Sequence, residues 1–267
     1  MSTKPGTGPA GPLCTRATLA ADLRTLGVRP GETLLVHSSL SSLGWVCGGP
    51  VAVVMALLDA LGRDGTLVVP THSGGNSDPA DWGNPPVPQA WWADIRASMP
   101  HFDAHITPSL GVGVIPETVR NWPGALRSSH PQTSFAALGP RAGAIVDGHA
   151  LDCRFGEQSP LARLEDGGAR ILLLGAGYEA CSAFHLAEYR VPGPKAQNAF
   201  AVMTPQGARW TTVTDTPASA ERFDELGAAF EKEGPVVRGT VGAAEARLFT
   251  LADAVAHAEA WLPVHRP

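Results

Sequence analysis

The sequence predicts a single α/β domain with a mixed β-sheet flanked by helices, and three observations carry that reading. Two short apolar runs, at 33–37 and 66–70, enclose an apolar helical stretch at 50–61. A strand–helix–strand unit of this kind favours parallel strands joined by a right-handed crossover. A third apolar run, at 170–174, passes through Gly175-Ala-Gly177 into another helical stretch. Residues 197–203 and 209–214 alternate around Thr204-Pro-Gln-Gly207, the pattern of an antiparallel hairpin, so the sheet is mixed rather than purely parallel.

The elements follow in order. Residues 1–14 are rich in Gly and Pro and lack both a basic start and an apolar stretch; they read as a disordered tail rather than a signal peptide, leaving 15–267 as the domain. Residues 15–26 form a helix with a polar cap, closed by Gly27 and Pro30. The strand at 33–37 runs into a small-residue loop, 38–49, and the helix at 50–61 stops at Gly62. The strand at 66–70 reads as a second buried strand, as in a sheet covered on both faces. From about 71 to 131 the text turns to Trp, Pro, Asn, Gly and His, with helices expected near 89–98 and 113–121. So long a stretch with little core pattern is usually a functional loop region. Thereafter the pattern predicts a strand at 134–138, a helix at 140–147, a strand at 170–174 and a helix at 179–189. After the hairpin come a helix at 218–231, strands at 236–240 and 244–250, and a closing helix at 251–262.

Composition narrows the function. A hydrophobic fraction of 44% and a charged fraction of 17% are ordinary for a soluble chain of 267 residues. No apolar run approaches the roughly 20 residues needed to span a bilayer. A net charge of −5 without a basic cluster argues against nucleic acid and suits a cationic ligand. Cys14, Cys47, Cys153 and Cys181 form no CxxC pair, so free thiols in a cytoplasmic protein are the simplest reading.

His37, Thr71 and the Gly175–Gly177 turn each fall at the carboxyl end of a predicted strand, where open α/β sheets bind ligands. His185 and Glu188 lie three apart on the following helix, on one face. A carboxylate there orients an imidazole as a general base, although the same spacing also describes a plain helix-surface ion pair. His130, before Pro131, reads as a turn residue, and His72, His101, His105, His149, His257 and His265 read as surface or loop histidines. Cys181, one turn before His185, fits either an acyl-accepting thiolate at a helix start or a small buried apolar residue. No phosphate loop, nucleophile elbow or zinc helix is present. Gly175 to Ala180 match a dinucleotide fingerprint, but the next strand ends without the acidic residue that would hold a ribose.

The motifs Leu35-Val-His-Ser-Ser-Leu40, Pro85-Pro-Val-Pro88, Thr107-Pro-Ser-Leu-Gly111 and Arg127-Ser-Ser-His-Pro131 occur in this order. Ser134-Phe-Ala-Ala137, Gly156-Glu-Gln-Ser-Pro160, Leu172-Leu-Leu-Gly-Ala-Gly177 and Ala183-Phe-His-Leu-Ala-Glu188 follow. From about 18 to 262 the chain closely resembles the aminoglycoside 3-N-acetyltransferase family, also called antibiotic N-acetyltransferases. The resemblance implies a fold distinct from the common small acetyltransferase fold, with acetyl-coenzyme A as co-substrate across the strand-end loops and no metal. It implies a catalytic His185 with Glu188, and a further carboxylate, Asp215, near the chemistry or the acceptor. His37, Ser38 and Ser39 would contact the pantetheine or acetyl end, with Thr71, Ser109, Gly111 and Arg127 along the same channel. Asp78 and Asp103 are loop acids able to bind a polycationic acceptor.

The expected reaction is direct acetyl transfer to the 3-amino group of a 2-deoxystreptamine antibiotic, with His185 as base. Three alternatives remain open: acetylation of another amine, non-catalytic sequestration of an aminoglycoside or coenzyme A, and a metal hydrolase using His37, His130, His185 and Glu188. A homodimer is compatible with all of these.

Overall fold

The computed structural model describes residues 11–266. In chain order the elements are β1 (Leu13–Cys14), α1 (Arg16–Leu26), β2 (Thr33–Ser38), β3 (Trp45–Val46), α2 (Gly49–Leu61) and β4 (Thr66–Pro70). Next come α3 (Trp92–Ser98), α4 (Val114–Arg120), β5 (Leu126–Arg127), β6 (Phe135–Leu138), α5 (Ala142–Val146) and α6 (Pro160–Asp166). The chain continues with β7 (Arg170–Leu174), α7 (Phe184–Arg190), β8 (Ala196–Thr204), β9 (Gly207–Asp215) and α8 (Phe223–Glu233). It then runs through β10 (Val237–Val241), β11 (Ala244–Thr250) and α9 (Leu251–His265).

The main sheet has the order β10-β11-β7-β2-β4-β6-β5. The three central strands, β7, β2 and β4, run parallel, and every other neighbouring pair is antiparallel. The hairpin β8–β9 stands apart as its own two-stranded sheet. Alternation along the central strands divides the core in two. Leu35, Val68, Ile171 and Leu173 face one cluster with Phe184, Phe223 and Trp261; Leu34, Val36, Leu67, Val69 and Leu172 face another with Leu23, Leu57 and Ile115. Burial on both faces is why these strands read as unbroken apolar runs. Each buried side chain contributes roughly 1.5–3 kcal/mol.

Local signals account for the helix ends. Thr15 and Thr18 form a reciprocal capping box at the start of α1, and Gly27, at φ 108, closes that helix in the left-handed region.

Three expectations are corrected. Residues 13 and 14 do not belong to a tail: β1 pairs with β3, and the buried Cys14 thiol donates to the Leu43 carbonyl at 3.1 Å. Residues 1–10 lie outside the described region. The helix expected over 179–189 is broken; a 3-10 turn at Tyr178–Ala180 ends in extended Cys181, and α7 begins only at Phe184. The break turns the Ser182 N–H toward His37 Nε2, 3.4 Å away. Finally, α6 had no counterpart in the pattern reading, although its start is marked by Ser159, whose hydroxyl accepts from the Leu161 N–H, and by Pro160 in the first turn.

Candidate active site

The carboxyl ends of β2, β4 and β7 open onto one cleft of about 810 Å³. His37, Ser38 and Ser39 reach it from β2, Pro70 and His72 from β4, and Ala176, Ser182 and His185 from the segment after β7. Trp45, Gly49, Glu179 and Gly111 to Val114 also line it. Gly175 makes this meeting of loops feasible: its φ is 65, and a Cβ there would lie 2.5 Å from that of Ser42.

At one wall His185 Nδ1 lies 2.7 Å from Glu188 Oε2. A carboxylate only accepts, so Nδ1 carries a hydrogen, and in the neutral ring Nε2 then keeps the lone pair. Among the described residues Nε2 has no hydrogen-bond partner, and the residue lines the cleft. The imidazole stacks on Phe155, with centroids 4.6 Å apart and planes 16° apart, and leans on Phe223 at 4.8 Å. The other carboxylate oxygen, Glu188 Oε1, accepts from Arg266 Nη1 at 2.8 Å and from the Ser219 N–H at 3.4 Å.

Two further imidazoles share the cleft. Burial, and then the neighbouring His185, push His37 down to about 3, so the ring stays neutral. Its Nε2 accepts from Ser182, which assigns the hydrogen to Nδ1. His72, read from sequence as a loop or surface histidine, instead packs edge-on against Phe135 and Phe155 and is pushed down to about 3, mainly by burial. Its Nε2 is buried without a partner. The signal that would have found it was its place two residues past the end of β4, at the same edge of the sheet as His37. The Ser38 hydroxyl is likewise buried and unpartnered, whereas the Ser39 N–H is engaged by the Leu174 carbonyl at 2.9 Å.

Of the other expected site residues, Gly111 lines the cleft, but Thr71, Ser109 and Arg127 do not. Thr71 is buried against Ser134 Oγ at 3.1 Å, and Ser109 donates to Glu117 at 2.6 Å. Arg127 donates to the carbonyls of Thr71 (2.7 Å) and Thr107 (2.5 Å) and to Ser134 Oγ (2.9 Å), and lies over Phe102 at 4.8 Å. Burial pushes its pKa down to about 10. These contacts brace the loop region from within.

The three acids are each engaged within the protein. Asp78 pairs with Arg96 at 2.6 Å, and Asp103 accepts the N–H groups of His105 and Ile106. Asp215, 1% exposed, accepts from the Tyr189 hydroxyl at 2.6 Å, the Thr216 N–H at 2.7 Å and the Arg154 N–H at 3.1 Å. None of the three lines the cleft; the acid that does is Glu179.

His130 is the expected turn residue, its Nδ1 accepting the N–H groups of Gln132 and Thr133. His149, expected at the surface, is buried between Ser128 and the Arg154 carbonyl. Among the described residues no group of three or more His, Cys, Asp or Glu is arranged to hold a metal ion. No helix among them is long and apolar enough to cross a membrane.

Comparison with known proteins identifies this arrangement. The family model described as aminoglycoside 3-N-acetyltransferase matches residues 35–263. The chain belongs to the aminoglycoside 3-N-acetyltransferase family. As a member of that family it is an acyltransferase. A prophage-derived aminoglycoside N(3')-acetyltransferase-like protein of Bacillus subtilis (strain 168), YokD, is 46% identical over 249 residues, 92% of each chain. The YokD crystal structure superposes with a TM-score of 0.92 at 43% identity, covering 93% of both chains. Aminoglycoside N(3)-acetyltransferase VIII of Streptomyces fradiae is 37% identical, covering 95% of this chain and 93% of its own. A structure described as AAC-IIIb binary with CoASH has a TM-score of 0.84 at 31% identity and covers 96% and 99% of the two chains. The family fold is thus the expected α/β type with a mixed sheet.

Proposed function

We propose that this acyltransferase moves an acetyl group from acetyl-coenzyme A directly to the 3-amino group of an aminoglycoside, with His185 as general base. The observation that carries the reading is the 2.7 Å contact between His185 Nδ1 and Glu188, which leaves Nε2 as a lone pair on the cleft. An aliphatic ammonium has a pKa of about 10 and attacks a thioester only as the neutral amine. Nε2 takes a proton from the attacking neutral amine as the N–C bond forms and the C–S bond breaks, and the imidazolium then gives that proton to the departing thiolate. Glu188 balances the charge that the imidazole acquires. A base so placed typically contributes roughly 10²–10⁴-fold.

The donor set fits the co-substrate. Ser38 Oγ, buried and unpartnered, is suited to the thioester oxygen as it gains charge. Among the described residues no Arg or Lys lines the cleft, but the first residue of α2, Gly49, does, and that helix start lacks a side-chain cap. Pro50 has no N–H, so the donors this helix start offers a pyrophosphate are those of Gly49 and Val51. The relatives named for aminoglycosides and the neighbour named for CoASH support both ligands.

One observation favours a second reading. With Asp78, Asp103 and Asp215 engaged elsewhere, Glu179 is the acid lining the cleft among the described residues. An acceptor with fewer ammonium groups than an aminoglycoside would need no more. Following thiol release from acetyl-coenzyme A across aminoglycosides and simple amines, with mass spectrometry of the products, decides between them. Acetylation only of simple amines would refute the aminoglycoside assignment, and binding without thiol release would refute catalysis.

A further inference from the structure

Glu188 is held from both sides, and the second holder lies outside the stretch 35–263 that the family model matches. Arg266 follows α9, and its Nη1 donates to Glu188 Oε1 at 2.8 Å and to the Ser219 carbonyl at 3.0 Å. Ser219 returns its own N–H to the same carboxylate oxygen at 3.4 Å. The turn that presents Arg266 is itself fixed. Its N–H donates to the Leu262 carbonyl at 2.8 Å, the His265 ring stacks on Trp261 with centroids 4.1 Å apart, and Arg222 donates to the His265 carbonyl. Both acids and bases of the pair are well shielded, with the Glu188 side chain 6% exposed and that of His185 13%.

We propose that Arg266 is a positioning residue for the reaction, acting through Glu188 to keep the lone pair of His185 facing the cleft. This rests on His185 serving as the base. A shielded carboxylate facing only a neutral imidazole lacks a counter-charge, and leaving it so is costly. The guanidinium supplies that charge and fixes Oε1, so that Oε2 is aimed at Nδ1 as an acceptor. Without it the carboxyl has two ways to relieve the cost. It can turn toward solvent and release the ring. It can also take up a proton and donate its own O–H to Nδ1, which moves the ring hydrogen to Nε2. In either case the nitrogen that must accept the amine proton is no longer reliably free. The role is orientation, because Arg266 touches neither the imidazole nor the cleft lining.

The test is Arg266→Ala and Arg266→Lys in the full chain, alone and combined with Glu188→Gln. We expect Arg266→Ala to lower kcat by about tenfold or more while the KM for acetyl-coenzyme A stays within about twofold, as for an interaction felt mainly in the transition state. Arg266→Lys restores part of the loss, and so does free guanidinium ion at sub-denaturing concentration. In the Glu188→Gln background Arg266→Ala should cost nothing further, since its partner is already altered. An unchanged kcat, a full additive loss in that background, or a loss that guanidinium cannot rescue would each overturn the proposal. The ¹⁵N shifts of the His185 ring, which need no acceptor, report the tautomer directly. The hydrogen should reside on Nδ1 in the parent protein and redistribute in Arg266→Ala; an identical pattern in both would also overturn it. If the parent protein acetylates no amine, the general-base reading fails, and the ring shifts alone decide whether Arg266 sets the tautomer.

Discussion

The ring of Phe155 lies 4.6 Å from that of His185 and within 16° of parallel to it. Arg154, the residue before Phe155, gives its backbone N–H to Asp215 at 3.1 Å, and Tyr189, one turn beyond His185, gives its hydroxyl to the same carboxylate at 2.6 Å. Asp215 therefore ties together the two segments that flank the imidazole.

Asp215→Asn replaces an acceptor of several N–H and O–H groups with one that carries its own donors. We expect a loss of about 1–3 kcal/mol of stability and a fall in kcat, with the acceptor KM within about twofold. Urea denaturation and steady-state kinetics on the same preparation measure both. A raised acceptor KM at unchanged stability would instead put Asp215 in contact with the acceptor.

His185→Ala should remove most turnover, roughly 10²–10⁴-fold, with coenzyme A affinity within a few fold. Glu188→Gln should be milder, because the amide keeps the shape and can still accept from Nδ1. Calorimetric binding of coenzyme A beside kcat separates the two effects. Near-normal turnover in His185→Ala ends the general-base role.

Cys181 is completely buried, and burial pushes its thiol up to about 12, opposite to the shift a thiolate at a helix start would show. We expect Cys181→Ala to stay active and initial-rate patterns to intersect, as for a ternary complex. Recovery of an acetylated Cys181 peptide in the absence of acceptor would contradict direct transfer.

Buried imidazoles make the fold acid-sensitive. Burial pushes His37 and His72 down to about 3, His149 to about 4, and His130 well below its ordinary value. Each native pKa lies below the unfolded value near 6.5, so the unfolded chain binds more protons as pH falls through that value. Stability should therefore be highest above pH ~6.5 and fall below it, by up to roughly 1.4 kcal/mol per pH unit for each imidazole, until the native values are reached. Urea midpoints at a series of pH values check this, and a midpoint that is flat or rises on acidification from pH ~6.5 contradicts it.

If the acceptor is a polyamine, its KM should rise with ionic strength, and Glu179→Gln should raise it further at low salt. Asp78→Asn should leave it unchanged, since that carboxylate holds Arg96. Indifference of the acceptor KM to both salt and Glu179→Gln would favour the less charged amine.

What could be read from the sequence was what is local. His37 and Gly175 announced strand ends because the short apolar runs before them, 34–36 and 171–174, suit buried strands, and the His185–Glu188 pair needed only helical spacing. The internal contacts of Arg127 and Asp215 could not be read, because a charge in a loop looks the same whether it braces its own chain or meets a ligand. Phe155 and Arg266 left no trace, since each reaches the dyad by a contact between distant parts of the chain. The helix expected over 179–189 failed where Ser182 turns its N–H to His37, a partner that no local pattern contains.

Pairing β7 beside β2 has a kinetic consequence. Leu34 meets Arg170 and Ser38 meets Leu174 across about half of the chain. A loop of that size must close before the contact repays its entropy, and such long-range parallel pairing is slow. His37 and Ser182 approach each other only once this seam has formed. Chains refolding from denaturant will therefore regain helical signal well before they regain transfer, and the return of activity will track the slowest folding phase.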